Sequence, residues 1–184
     1  RVDDRVELGD LGNSLLGTTP ALIAKGISEE AFDEIDGDDG DTCRSLKAKH
    51  RNERSGLRPL FSTHTLDPVA VIAPLKAELG KLEEHADGDI HQVHDMERRF
   101  QALEESDAYR HAKLIADAWV AAFMWFKTPE APEPPTQSVF DALSGDPDSV
   151  PDVTRFEIQR LAHRYGFFHW HLAFPDVFRP EGNR

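Results

Sequence analysis

Residues 106–126 constrain the fold more than any other stretch of this chain. Ser106 offers a side-chain oxygen to the orphan amides of a first helical turn, and apolar residues then recur at helical spacing on two sides. Tyr109, Ala112, Ile115, Ala116, Trp119, Phe123 and Phe126 fall on one side, and Leu114, Ala118, Ala121 and Trp125 on another. A helix apolar on two sides must be covered on both, so this one is expected at the centre of the domain. Its aromatic residues are read as core. They keep the helical period and are not interleaved with Lys or Arg, as a base-stacking surface would be.

The flanking segments are read as cover for that helix. Downstream, Pro129, Pro132, Pro134 and Pro135 make residues 128–135 an extended linker, because proline removes an amide donor and restricts the backbone. A short helix over 138–143 and a loop over 145–151 follow. Asp152 then caps a last helix marked by Val153, Phe156, Leu161 and Tyr165, with Gly166 as its stop. Upstream, Val69, Ile72, Leu75, Leu79 and Leu82 keep a helical rhythm kinked at Pro74. After a break at residues 87–89, Ile90, Val93, Met96, Phe100 and Leu103 form a second stripe, which suggests a helical hairpin. Thr19 and Pro20 open a short helix that Gly26 closes, and residues 28–32 make one further turn. Asp33, Glu34, Asp36, Asp38, Asp39 and Asp41 make residues 33–41 a solvated acidic loop whose spacing does not meet that of a calcium loop. The expected fold is mainly α, an irregular helical bundle of about six helices with one or two short strands at the two ends.

Residues 41–55 form another expected helix, with Cys43, Leu46 and His50 on its inner side. Arg44, Lys47, Arg51, Arg54 and Arg58 recur at three- and four-residue steps along one stripe. Two readings of the stripe stand. It can be a solvated face paired with acids such as Glu53 or those of the 36–41 loop, or it can contact phosphates, where Arg and Lys position a duplex without reading sequence. The formal charge of −13 over 184 residues argues against the whole surface lying on nucleic acid. The single Cys43 excludes an internal disulfide and fits a reducing cytoplasm. No apolar run approaches the roughly 20 residues that a helix needs to span a bilayer, so no membrane partner is expected.

Histidines invite a metal hypothesis, since His169 and His171 flank Trp170 and His91, His94 and His163 lie elsewhere. Zinc sites usually need four ligands of defined spacing, and Cys43 is the only thiol, so no metal ligand is assigned. Trp170, Phe174 and Phe178 are instead expected to pack, while the histidines hydrogen-bond or sit in solvent. Ser, His and Asp residues are present, but nothing resembles a nucleophile elbow, and no catalytic residue is assigned.

Three stretches carry a resemblance. Phe167-Phe168-His169-Trp170-His171-Leu172-Ala173-Phe174-Pro175-Asp176-Val177-Phe178 resembles the segment Phe-His-Trp-x-Leu-x-Phe-Pro-(Glu/Asp)-Val-Phe of large adenine-specific DNA methyltransferases in restriction-modification and phage-defence systems, including the BREX and DISARM types. Leu11-Gly12-Asn13-Ser14-Leu15-Leu16-Gly17 looks like that family's turn after a strand of its sheet, and Ala116-Asp117-Ala118-Trp119-Val120-Ala121-Ala122-Phe123-Met124-Trp125 is similar to its tryptophan-rich helix. The motif positions given a structural role are Asn13, Ser14, Leu15, Phe168, His169, Trp170, Phe174, Pro175, Asp176 and Phe178. Neither the Gly-rich cofactor loop nor the catalytic Asn-Pro-Pro-aromatic tetrapeptide of the family occurs, and both ends of the chain read as cut points.

The resemblance implies an internal piece of a larger enzyme. Residues 1–17 would be an N-terminal arm, 18–166 a helical insertion domain, and 167–184 a C-terminal arm leading to the catalytic core. S-adenosylmethionine is then implied for the whole enzyme, which could also carry a restriction endonuclease; no cofactor is implied for this piece. Its partners would be the remainder of the methyltransferase and, through it, DNA. The alternative reading is a stand-alone acidic helical module for protein–protein interaction.

Overall fold

The central-helix expectation holds. The computed structural model, which describes residues 22–23, 25–55 and 90–173, contains six α-helices and two 3-10 turns, built around one apolar helix among the six. The helices are α1 (Gly40–Ser55), α2 (Ile90–Glu104), α3 (Asp107–Met124), α4 (Gln137–Gly145), α5 (Asp152–Tyr165) and the single turn α6 (Trp170–Ala173); the 3-10 turns are Glu29–Phe32 and Pro147–Ser149. α3 packs against α5, α4, the Glu29–Phe32 turn, α2 and α6. No strand occurs among the described residues. The fold is therefore mainly α, a helical bundle. The N-terminal arm, the 67–82 half of the expected hairpin, Arg58, and the motif residues Asn13, Ser14, Leu15, Phe174, Pro175, Asp176 and Phe178 lie outside the described residues.

Ser106 caps α3 as expected, its hydroxyl accepting from Tyr109 N at 3.2 Å. Ala112, Ile115, Ala116, Ala118, Ala121 and Ala122 are buried along it, and Trp125 just past its end is buried too. The small alanines let neighbouring helices approach closely. The larger volume comes from Phe32, Phe140, Leu143, Ile158 and Leu161, each fully buried and each contributing about 1.5–3 kcal/mol through removal from water. Phe126 departs from the expected stripe and is half-exposed, because the helix has already ended at Met124.

Two local readings change. The acidic stretch 33–41 is not simply solvated. The Asp38 side chain is fully buried against Lys127, whose side chain is also fully buried, with Lys127 Nζ 2.8 Å from Asp38 Oδ2. Lys127 N donates to Asp38 Oδ1 at 2.9 Å, Ile35 N to Asp38 Oδ2 at 3.2 Å, and Asp39 N to Lys127 O at 2.9 Å. Burial pushes the Asp38 carboxyl up, but these donors outweigh it and hold the group below the usual carboxylate range. Buried charges survive only when paired and hydrogen-bonded, and this pair is both. Asp39 meanwhile caps α1, accepting from Thr42 N at 2.7 Å.

The proline stretch is non-helical as expected, yet it forms part of the core. Trp125 Nε1 donates to Pro132 O at 2.7 Å, Pro134 is fully buried, and Glu133 pairs with Lys49 of α1. The cavity of about 240 Å³ between this stretch and α1 offers no unpaired charge, since its charged lining residues Lys127 and Glu133 are both already engaged.

α4 begins in an unusual way. Thr136, its N-cap residue, makes no side-chain cap bond. α1 supplies the acceptors instead, His50 Nδ1 taking the Gln137 N–H at 3.2 Å and Glu53 Oε2 the Ser138 N–H at 3.0 Å. One face of α1 thus satisfies the orphan amides of α4. Because Nδ1 accepts, the ring proton sits on Nε2, which donates to Ile27 O at 3.1 Å. Gly26 before it has φ +80, where any other residue would be strained, and a Cβ there would displace the end of the Gln137 side chain, 2.3 Å away.

Candidate functional site

Among the motif residues, the described ones converge on α3. Asp117 is 3% exposed, in the middle of an otherwise apolar helix. Its Oδ1 lies 2.7 Å from His169 Nε2, and its Oδ2 accepts from Lys113 Nζ at 2.6 Å, one helical turn earlier. His169 is 9% exposed, and its carbonyl starts α6 by accepting from Leu172 N and Ala173 N at 3.0 Å each. His171, within α6, is 4% exposed, its ring 5.9 Å from that of His169. His171 Nδ1 is a buried atom with no hydrogen-bond partner, the only such side-chain atom among the described residues. Burial, and then the neighbouring His169, push the His171 ring down to about 4.

Trp170 was expected to pack, with the histidines hydrogen-bonded or in solvent. Trp170 and its neighbour Phe168 are 60% and 57% exposed, edge to face at 4.9 Å, while both histidines are buried and His169 is hydrogen-bonded. The physical reason is Asp117. A buried carboxylate needs donors, Lys113 supplies one, and His169 is the second. Fixing His169 inward sends its neighbours Phe168 and Trp170 outward. α6 itself, at the start of the expected C-terminal arm, is a helical turn. Of the four apolar residues that mark α5, only Leu161 is buried. Val153, Phe156 and Tyr165 are exposed, and the inner face is Thr154, Ile158, Leu161 and Ala162.

The basic stripe lies on α1, with Cys43, Leu46 and His50 buried behind it as expected. Each described member has a partner in the chain. Arg44 pairs with Asp41, Lys47 with Asp33 and more distantly Glu29 at 3.8 Å, and Arg51 with Glu29. Arg54 donates to the Ile27 carbonyl. The hydrogen bond from Arg51 lowers the Glu29 carboxyl, and that to Asp33 raises the Lys47 ammonium. The acids used are mostly not those expected, since Glu53 caps α4 instead. A phosphate approaching this stripe would compete with carboxylates already in place.

Two contacts of the polar interior were not foreseen, Asp117–His169 and Asp38–Lys127. Asp117 did carry a signal, for an acid between Ala116 and Ala118 on a helix apolar on two sides must find a buried donor. Nothing in sequence said that the donor lay 52 residues away. Among the described residues no group of three or more His, Cys, Asp or Glu side chains is placed to hold a metal ion, and no helix is long and apolar enough to cross a membrane. No family model, curated protein or solved structure matches this chain.

Proposed function

We propose that this chain is the helical spacer of an S-adenosylmethionine-dependent, adenine-specific DNA methyltransferase of a cytoplasmic restriction-modification or phage-defence system, of BREX or DISARM type. Its task is to set the orientation of the parts on either side, and it transfers no methyl group itself. The observation that supports this reading is the buried 2.7 Å contact between Asp117 and His169. Those residues belong to two separate stretches that resemble the family, and their meeting in space fits a shared ancestry of both. S-adenosylmethionine would bind elsewhere in the whole enzyme, which must take its target base out of the stack to reach the exocyclic amine. DNA would be met through that enzyme and weakly or not at all by this chain alone, because Arg44, Lys47 and Arg51 are already paired with acids.

The experiment is to read the source gene on both sides of this segment and to assay its full product with tritiated S-adenosylmethionine and DNA. A Gly-rich loop upstream, Asn-Pro-Pro-aromatic downstream and label on adenine are the expected results. A start codon just before Arg1 with a stop codon just after Arg184 would overturn the proposal. That outcome would favour the second reading, an acidic helical interaction module, for which the exposed Val153, Phe156, Phe168 and Trp170 provide apolar contact surface.

A further inference from the structure

The turn that carries the histidines depends on a single carboxylate. Asp117 already holds His169 on one oxygen and Lys113 on the other. His171 is equally buried, and its Nδ1 faces no partner. A proton on His171 would place a cation in the interior with no free acid among the described residues to receive it and a second imidazole 5.9 Å away. An unpaired charge in that setting is relieved by moving to water. The route is short, since α6 is one turn long and reaches α5 through Gly166, which is left-handed at φ 63 with open space around it. We propose that α6 is an acid-released latch, docked on α3 while His171 is neutral and freed when His171 takes a proton.

The surrounding charges favour the same direction. α3 presents Asp117, Lys113 and Tyr109; Glu104 of α2 and Asp117 act on Tyr109, and His169 is the neighbouring titratable group that acts on His171. The docked ring, held at about 4, resists a proton that a solvated ring takes at about 6.5. Between those values acid pulls toward release. Release would expose Asp117 and Leu172 and change the direction in which the chain leaves Ala173. The inference stands independently of the methyltransferase reading.

Hydrogen exchange read by mass spectrometry tests it on the full chain, with rates corrected for their intrinsic pH dependence. Opening of residues 167–173 is expected to rise about tenfold from pH 7.5 to 5.5, as linkage to a ring of ordinary affinity requires, while α3 stays protected. His171→Leu should abolish the rise, and His163→Leu, at an exposed position, should retain it. A wild-type turn whose protection ignores pH, or the same rise in His171→Leu, overturns the latch, as does parallel opening of α3. Should His171→Leu fail to fold, imidazole NMR of the wild type decides. The His171 signals must titrate below 6.5 together with the amides of residues 170–173, and independence of the two overturns the proposal.

Discussion

His50 and His171 are both buried, yet the chain treats them in opposite ways. His50 has each ring nitrogen engaged, Nε2 on Ile27 O and Nδ1 on Gln137 N, with Phe32 against its ring at 4.6 Å. It ties α1 to the turn before Glu29 and to the start of α4. His171 has an orphaned Nδ1 and lies beside a second imidazole. The difference shows that burial alone does not make a histidine a switch. Where backbone groups satisfy both nitrogens the neutral ring acts as a bolt, and where they do not it is held only by the packing around it. The same contrast divides the molecule. The α1 side contains completed polar networks, and the α6 side contains an incomplete one.

The largest test of that contrast is on the completed side. Lys127→Met leaves the Asp38 carboxylate buried without its cation and should destabilise the fold by about 3–5 kcal/mol, read as the midpoint of a urea titration. Adding Asp38→Asn to it should recover much of the loss. If Lys127→Met alone proved neutral, the α1 side would not be the rigid half.

Acid sharpens the comparison from the other side. His171 has a folded value near 4 against an ordinary 6.5, so the unfolded or released chain binds the proton first. Its contribution is complete above pH 6.5 and is lost as pH falls toward 4, with a ceiling of about 3 kcal/mol. His50 is also lowered, by burial first and then by Arg54, and its contribution is lost in the same direction. Thermal unfolding at pH 7.5 and 5 should therefore show a drop in Tm that His171→Leu reduces. A Tm that rises on acidification would contradict both assignments.

Replacing each histidine at pH 7.5 gives the next effect in size, and its sign should differ between the two. His50→Leu strands the Gln137 N–H and leaves the Ile27 carbonyl to Arg54 alone, and should cost about 2 kcal/mol. His171→Leu removes an orphaned polar atom from an apolar site and should be neutral or stabilising. Equal losses at both positions would erase the distinction between bolt and latch.

How much of this was legible in the sequence follows the same division. The helices around residues 41–55, 90–104 and 106–126 were readable because apolar period and caps are local signals, down to Ser106 as cap. The helix over 152–166 was marked by Gly166 as its stop, while its N-cap is Pro151 rather than Asp152 and three of its four apolar marks are exposed. Cys43, Leu46 and His50 fell inward as their spacing suggested. The polar interior was not readable. Asp38 and Lys127 are 89 residues apart, His50 and Gln137 87, and Asp117 and His169 52. Acidic loops and exposed lysines are usually solvated, so composition pointed Asp38 the wrong way. The outward turn of Trp170 has the same origin, because hydropathy ranks an isolated tryptophan above a histidine and does not see a distant carboxylate.

The smallest effect concerns the stripe on α1 and tests whether its charges belong to the folded network at all. Arg51 is exposed, and its bond to Glu29 is shared with solvent and screened by salt. Arg51→Ala should leave the urea midpoint indistinguishable from wild type at moderate salt. Arg54→Ala, which removes a donor to the carbonyl that His50 also uses, should lower it measurably. In the full-length gene product Arg51→Ala together with Arg54→Ala should weaken DNA binding for every sequence alike only if the stripe reaches phosphate. Unchanged affinity, together with the stability loss at Arg54 alone, would leave Arg44, Lys47 and Arg51 as a solvated face and Arg54 as part of the His50 bolt.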